Sequence, residues 1–329
     1  MDNHSSISEF LLLEFSPIWE IWILHFILFL VFYLTTVAGN FLIILAVALD
    51  HHLHSPLYFF LMNLAIQDLG SVSVTIPKYI ISSFIDDRHI SYSGCVAQVF
   101  LFAFFAGCDV ALLIVMAYDR YVAICNPLQY ETLMNRKTCM QMAVSAWLAG
   151  FLNAVVHTAG TFVTPFCSNV VNQFFCEIPQ LLKLACSDSY QIEMGAVWFG
   201  LMLWSGCFIF IIVTYVQIFT VVLKIPSVQR RKKAFSTCIP HLIVVSIFSL
   251  TVSLAHLRPT SGTSSPMELL LTIMYSVLPP MLNPLIYSLR NQEIKLALSR
   301  ILTMRSFQQG FLCYSSISVC HVVFLFILE

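Results

Sequence analysis

Residues 116–125 read MAYDRYVAIC, and they place an ion pair, Asp119-Arg120, at the end of the apolar run VALLIVMAY. Adjacent opposite charges are costly in hydrocarbon and cheap at a membrane–water boundary, so the pair marks an edge. Arg120 does not give up its proton and needs a partner, which the adjacent Asp119 can be, with Tyr215 and Tyr287 near the inner ends of the fifth and seventh spans offering hydroxyls. Two further acids, Asp68 and Asp109, sit inside apolar stretches. Two carboxylates cannot both stay ionised in a dry core without a cation or a proton between them. A shared cluster holding Na⁺ or a proton is one reading. Separate hydrogen bonding of each acid to Asn40, Ser71 or Asn283 is the other. None of the chemistry of an enzyme accompanies these groups: HExxH, GxSxG and a phosphate-cradling glycine loop are all missing from the sequence.

The elements that position these residues are membrane spans. The chain has 329 residues, 59% apolar and only 10% charged, where a soluble domain carries roughly 25% charged residues to coat itself. The net charge of −1 gives no attraction to nucleic acid. Apolar segments near the 20 or so residues needed to cross a bilayer run at about 22–49, 57–80, 95–121, 139–163, 195–223, 235–257 and 267–289. Their breaks carry Pro, Gly, Asn or charge, which favours helices over a barrel. The fold class is an all-α seven-transmembrane helix bundle over 22–290. An N-terminal tail (1–21) precedes it, a short amphipathic helix (291–303) follows on the inner surface, and an apolar tail (304–329) ends the chain.

Depth follows from the helical rise. Asp68 lies 12 residues beyond Pro56, roughly 18 Å above the inner boundary, and Asp109 lies 11 residues before Arg120, roughly 16 Å above it. The two acids therefore share one level. With the N-terminus outside, 12 of the 16 Lys and Arg fall on the inner side, while the tail before the first span has acids (Asp2, Glu9, Glu14, Glu20) and no base. That asymmetry gives N-out, C-in, as expected for a multi-pass plasma-membrane protein. The tail lacks the form of a cleaved signal peptide, so the first span acts as an uncleaved signal. It also holds the sequon Asn3-His4-Ser5, where an external glycan can be attached.

Cys95 at the outer start of the third span faces a loop carrying Cys167, Cys176 and Cys186. Four cysteines on the oxidising side predict two disulfides, with three pairings open. The loop has no His to complete a metal set.

Motifs in order along the chain carry a family resemblance. They are Gly39-Asn40 in the first span, LHSPLYFFLMNLAIQD at 53–68, MAYDRYVAIC followed by NPLQY, TYVQI at 214–218, KAFSTCIPHL at 233–242 and PMLNPLIYSLRN at 280–291. The chain resembles a vertebrate odorant receptor of the rhodopsin-like G-protein-coupled class from residue 1 to about 305. The resemblance implies pairing of Cys95 with Cys176 and of Cys167 with Cys186. It implies a sodium-type cluster of Asn40, Asp68 and Asp109, with Asp109 standing where the family more often has Glu. Coupling would pass through Asp119, Arg120, Tyr121, Tyr215, Tyr287, Asn283 and Pro284 to a stimulatory, olfactory-type G protein and raise cyclic AMP. A ligand favours one arrangement only by its differential affinity; an outward swing of the sixth helix would then free Arg120 to turn toward Tyr215. The basic run 230–233 is either a tether to anionic lipid or G protein, or a topology signal only.

For the ligand, helical spacing puts Phe102, Ala103, Ala106, Gly107 and Val110 on one stripe of the third span. Phe199, Leu203, Val252 and Ile273 wall the space that the small residues leave. A small, mostly apolar ligand suits such a pocket. Ser249 and His256 stand where the family often has Tyr, and an ester, ketone or alcohol would accept a hydrogen bond from His256 or Ser253. Arg258 at the mouth keeps an acid in view. A receptor of the same fold for a non-odorant lipid, acid or peptide is the alternative, and a transporter would show repeats and paired broken helices that this chain lacks. The tail at 310–328 is long enough to span, to lie on the bilayer with Cys313 or Cys320 acylated, or to be an altered terminus of little function.

Overall fold

The computed structural model describes residues 7–12, 19–85, 87–186, 190–257, 266–290 and 292–308. In chain order the helices are α1 (Trp19–Leu49), α2 (Pro56–Ile85), α3 (Tyr92–Cys125), α4 (Tyr130–Leu133), α5 (Arg136–Val163), α6 (Ile178–Leu184), α7 (Tyr190–Leu223), α8 (Val228–Leu257), α9 (Pro266–Ser276), α10 (Leu278–Arg290) and α11 (Gln292–Gln308). Among the described residues, six single helices (within α1, α2, α3, α5, α7 and α8) are long and apolar enough to cross a membrane. The seventh crossing is α9 followed by α10. The expected continuous helix breaks at Val277, just ahead of Pro279 and Pro280, whose rings supply no backbone N–H.

α3 is the central post, packed on α2, α5 and α7. Its contact with α5 is set by Gly150. A Cβ there would lie 2.2 Å from Cys108 Sγ and 2.7 Å from the carbonyl oxygen of Phe104, so only glycine lets the two backbones come this close. One large apolar cluster fills the inner half, from Ile43 and Leu64 through Leu112 and Met116 to Tyr215, Val245 and Ile294.

The outer end carries an element that is not helical. β1 (Glu9–Leu12) runs antiparallel to β2 (His89–Ser91) and parallel to β3 (Val170–Val171), giving the order β2-β1-β3. Phe10 and Leu12 are buried in it with Ile90, Val99 and Val171. Part of the expected external tail is thus a strand of the cap over the bundle. Below it, Phe29, Ile76, Tyr79, Phe174 and Phe175 form a second outer cluster against which Phe102 and Ile273 pack.

At the inner end α11 lies against α1 and α10. Ile294, Ala297 and Leu298 are buried, spaced i, i+3, i+4 as one helical face requires. Two polar clamps hold it. Tyr58 Oη donates to Glu293 Oε2 at 2.6 Å, and Arg300 Nη1 donates to Asp50 Oδ2 at 2.9 Å.

Candidate functional site

The inner site is built around Asp119, which is fully buried near the end of α3. Arg120 Nε donates to Asp119 Oδ2 at 2.9 Å, and Nη2 reaches the same oxygen. The other oxygen, Oδ1, accepts from Tyr130 Oη at 2.8 Å. Tyr130 opens α4 directly after the NPLQ segment, and its role was legible only as part of NPLQY. Burial and the Asp119 carboxylate push its phenol well above the usual tyrosine range, so it stays a donor. Tyr121 is half-buried and packs on the inner apolar cluster.

Tyr215 is buried on α7, and its hydroxyl is 3.0 Å from Nδ1 of His241 on α8. The rings stack with centroids 5.6 Å apart. His241 is the PHL histidine of the 233–242 motif, a polar residue in an apolar run whose partner no spacing reveals. Pro284 is buried against Gly39, where an added Cβ would meet its ring carbons at 2.9 Å. The side chain of Tyr287 lies outside the described residues, as do those of His256 and Arg258, all of residue Asn3 and the segment 309–329.

Deeper in the bundle, Asn283 Nδ2 donates to both oxygens of Asp68, at 3.1 and 2.9 Å. Asp109 lies within electrostatic reach of Asp68. Asn40 departs from the reading that bonds it to an acid: its Nδ2 donates to the carbonyls of Thr36 and Pro280, both at 3.0 Å. The amide is spent on bracing α1 against the seventh crossing. Three buried oxygens remain without a partner among the described residues, namely Asn40 Oδ1, Asp109 Oδ1 and Asn283 Oδ1. A cluster rich in acceptors and carboxylate and short of donors fits a small monovalent cation or a proton.

The predicted ligand stripe divides between two faces. Phe102 turns to the bundle interior, 5.3 Å from the Phe175 ring and 6.3 Å from that of Tyr275. Ala106 and Val110 are half-buried on the same helix, and Val252 and Ser253 are half-buried on α8. Gly107 instead faces α5, where its Cβ would lie 3.0 Å from Gly150 Cα. Ala103 sits one turn above, with its carbonyl accepting from Asn153 of α5. The smallness of Gly107 serves the packing of α3 on α5. Phe199 and Leu203 are 64% and 56% exposed, on the outward surface of α7. That helix is apolar all round, so its pattern could not say which face is inward. Ser249 is buried and donates to the Val245 carbonyl at 2.7 Å, within its own helix.

Over this space lies the second outer loop. Cys95 at the start of α3 is bonded to Cys176, with Cα atoms 5.6 Å apart, and Cys167 is bonded to Cys186 at 5.2 Å. Both separations lie in the range that a disulfide spans. The first draws Phe174, Phe175 and Glu177 into the bundle, where all three are buried. Glu177 accepts from the Tyr275 hydroxyl of α9. A carboxylate at the ligand end was missed in the sequence, since nothing but its place after Cys176 marks it.

A profile of the olfactory receptor family matches residues 29–305. Human olfactory receptor 14C36 is 48% identical over 303 residues, 92% of this chain and 97% of that one. Human olfactory receptor 14A16 is 49% identical over 303 residues, 92% and 98% of the two chains. Human olfactory receptor 14I1 is 49% identical over 310 residues, covering 94% and 100%. Among solved structures, squid rhodopsin superposes with a TM-score of 0.67 at 17% identity, covering 89% of this chain and 88% of that one. That likeness gives the architecture, a rhodopsin-like seven-helix bundle, and the sequence matches give the family. A multi-pass receptor accounts for the buried ion pair and for the capped outer end alike. The chain belongs to the olfactory receptor family.

Proposed function

We propose that this odorant receptor binds a small, mostly apolar ligand between the outer halves of its helices and couples to a stimulatory, olfactory-type heterotrimeric G protein that raises cyclic AMP. One observation carries the coupling reading. Arg120 is held at the inner end by a buried carboxylate that Tyr130 also engages, while Tyr215, the hydroxyl it could turn to, is occupied by His241. These contacts tie α3 to α4 and α7 to α8 at the inner end. A ligand with higher affinity for an arrangement in which α8 swings outward separates His241 from Tyr215. Arg120 then leaves Asp119 for Tyr215, and the space it vacates receives the G-protein helix.

The excess of basic residues at the inner end supports an orientation with that end in the cytoplasm and the disulfides outside, in the plasma membrane. Arg230, Arg231, Lys232 and Lys233 at the start of α8 then face anionic lipid headgroups, and Asn3 carries a glycan. Asp68, Asp109, Asn283 Oδ1 and Asn40 Oδ1 would hold Na⁺ at the core. There the ion supplies positive charge that offsets two carboxylates and favours the resting bundle.

The test is a volatile panel applied to cells expressing the receptor, with surface level and cyclic AMP measured together. A response to volatiles that Arg120→Ala removes at equal surface expression is the expected result. Ligand-driven cyclic AMP that survives Arg120→Ala sinks the coupling scheme.

A further inference from the structure

At the outer end a chain of hydrogen bonds runs from the second outer loop to the seventh crossing. Gln173 Nε2 donates to Thr272 Oγ1 at 2.9 Å. The Thr272 hydroxyl lies 3.3 Å from Glu177 Oε2, which also accepts from Tyr275 Oη. Charge sets the direction of these bonds. A carboxylate only accepts, and a hydrogen bond to it is stronger than one to a neutral amide. The Thr272 hydrogen therefore points at Glu177, and Thr272 Oγ1 is left to accept from Gln173. That turns the amide nitrogen toward Thr272 and leaves Gln173 Oε1 over.

Gln173 is 2% exposed, and its Oε1 has no donor among the described residues. A buried acceptor stranded in this way is unfavourable until something donates to it. Its surroundings belong to the ligand end of the molecule. Tyr275 contacts Phe102, Phe102 contacts Phe175, and Ile273 packs on the same aromatic cluster.

We propose that Gln173 Oε1 is the acceptor for the ligand's polar group, so that this receptor selects odorants with an O–H donor, aliphatic alcohols and phenols, over ethers and ketones of the same shape. The proposal rests on the odorant-binding reading above and gives it a chemical direction. An apolar body lies against Phe102, Phe175 and Ile273, and a single hydroxyl reaches the loop. An ether or ketone fills the same space but leaves Oε1 unpaired and brings a second acceptor beside it. Discrimination of this kind is strong because it punishes the wrong ligand as well as rewarding the right one.

The experiment compares primary alcohols with their methyl ethers, and a phenol with its methyl ether, in cells carrying wild-type receptor, Gln173→Leu, Gln173→Met or Thr272→Val. Cyclic AMP is read against surface-labelled receptor. In the wild type the alcohols and the phenol are expected to be about fivefold or more the more potent, the ratio that one net hydrogen bond supplies. In Gln173→Leu that ratio falls to about one because the hydroxyl ligands weaken while the ethers keep their potency. Gln173→Met, close in shape, does the same if the leucine variant fails to reach the surface. Thr272→Val frees Nε2 as a donor, so there the ratio closes from the other side as the ethers gain. A ratio near one in the wild type, or one that persists in both Gln173 variants, overturns the role of Gln173 and leaves odorant binding standing. Silence to every volatile tested, with receptor at the surface, overturns the odorant-binding reading and this proposal with it.

Discussion

Tyr215 and His241 meet where the inner halves of α7 and α8 pack, hydroxyl to Nδ1 at 3.0 Å with the rings stacked. One hydroxyl cannot serve His241 and Arg120 at the same time, so in the proposed scheme the pair is a tie on the resting state. His241→Phe keeps the ring and removes the nitrogen. A net hydrogen bond is worth about 1 kcal/mol, so ligand-free cyclic AMP should rise about fivefold at matched surface expression. Tyr215→Phe removes the resting tie and the later partner of Arg120 together. Its signature is a lower ligand-driven maximum, read from full dose-response curves.

Tyr130→Phe leaves one oxygen of a buried carboxylate without its donor. Among the described residues, the 2.8 Å contact from Tyr130 is the hydrogen bond that Asp119 Oδ1 accepts. The cost of such a loss is about 1–3 kcal/mol, and it falls on the arrangement that holds Arg120. Purified Tyr130→Phe receptor should melt several degrees lower than wild type and signal more without ligand. An unchanged melting temperature would show that α4 contributes nothing to holding the ion pair.

The order of motifs and the long apolar runs made the helices and much of the inner site legible, because an adjacent ion pair ending an apolar run marks itself within a few residues, whereas the break of the seventh span at Val277 was not read. The ligand end left few. α7 is apolar on every side, so Phe199 and Leu203 could not be told from inward residues. The smallness of Gly107 looked like room for a ligand until Gly150 was found against it. The pairs that position the loop and α11 join residues far apart in the chain: Tyr58 with Glu293, 235 positions away, and Gln173 with Thr272, 99 away. No periodicity encodes such pairs. The strand Glu9–Leu12 is four residues long, too short for alternation to mark it.

If the acceptor-rich core holds sodium, replacing NaCl with choline chloride should raise agonist potency in the wild type. The expected change is about fivefold, at the low end of allosteric couplings. Asp109→Asn, which keeps the volume and removes one carboxylate, should make potency indifferent to the exchange. A sodium effect of equal size in Asp68→Asn and Asp109→Asn would place the ion elsewhere.

The clamp on α11 gives a pH prediction. The backbone N–H of His52, then its side chain, and Arg300 hold the Asp50 carboxyl below the usual carboxylate range. A depressed acid contributes stability above its unfolded value of about 4, and that contribution is lost as pH falls through the lower folded value. With His52 replaced by Gln, so that the Asp50–Arg300 bond alone is followed, docking of α11 should therefore not change between pH 8 and pH 5, as reported by a fluorophore on an exposed α11 residue such as Leu296. Asp50→Asn should loosen it throughout that range.

Gly150 makes the sharpest packing prediction. Gly150→Ala puts a methyl 2.2 Å from Cys108 Sγ, 2.7 Å from the Phe104 carbonyl oxygen and 2.9 Å from the Cys108 backbone nitrogen. The sulfur is a side-chain obstacle that another substitution can remove, whereas the other two atoms are backbone. Overpacking of this kind costs about 1–3 kcal/mol, and here it forces α3 and α5 apart, since neither backbone can turn aside. Surface expression and melting temperature should both fall in Gly150→Ala. Adding Cys108→Ala should recover part of the loss, because the sulfur is gone and the backbone contacts remain. Full recovery would mean that the sulfur alone sets the helix spacing. No recovery would mean that the backbone approach of α3 and α5 sets it, with Cys108 merely filling the space left beside the glycine.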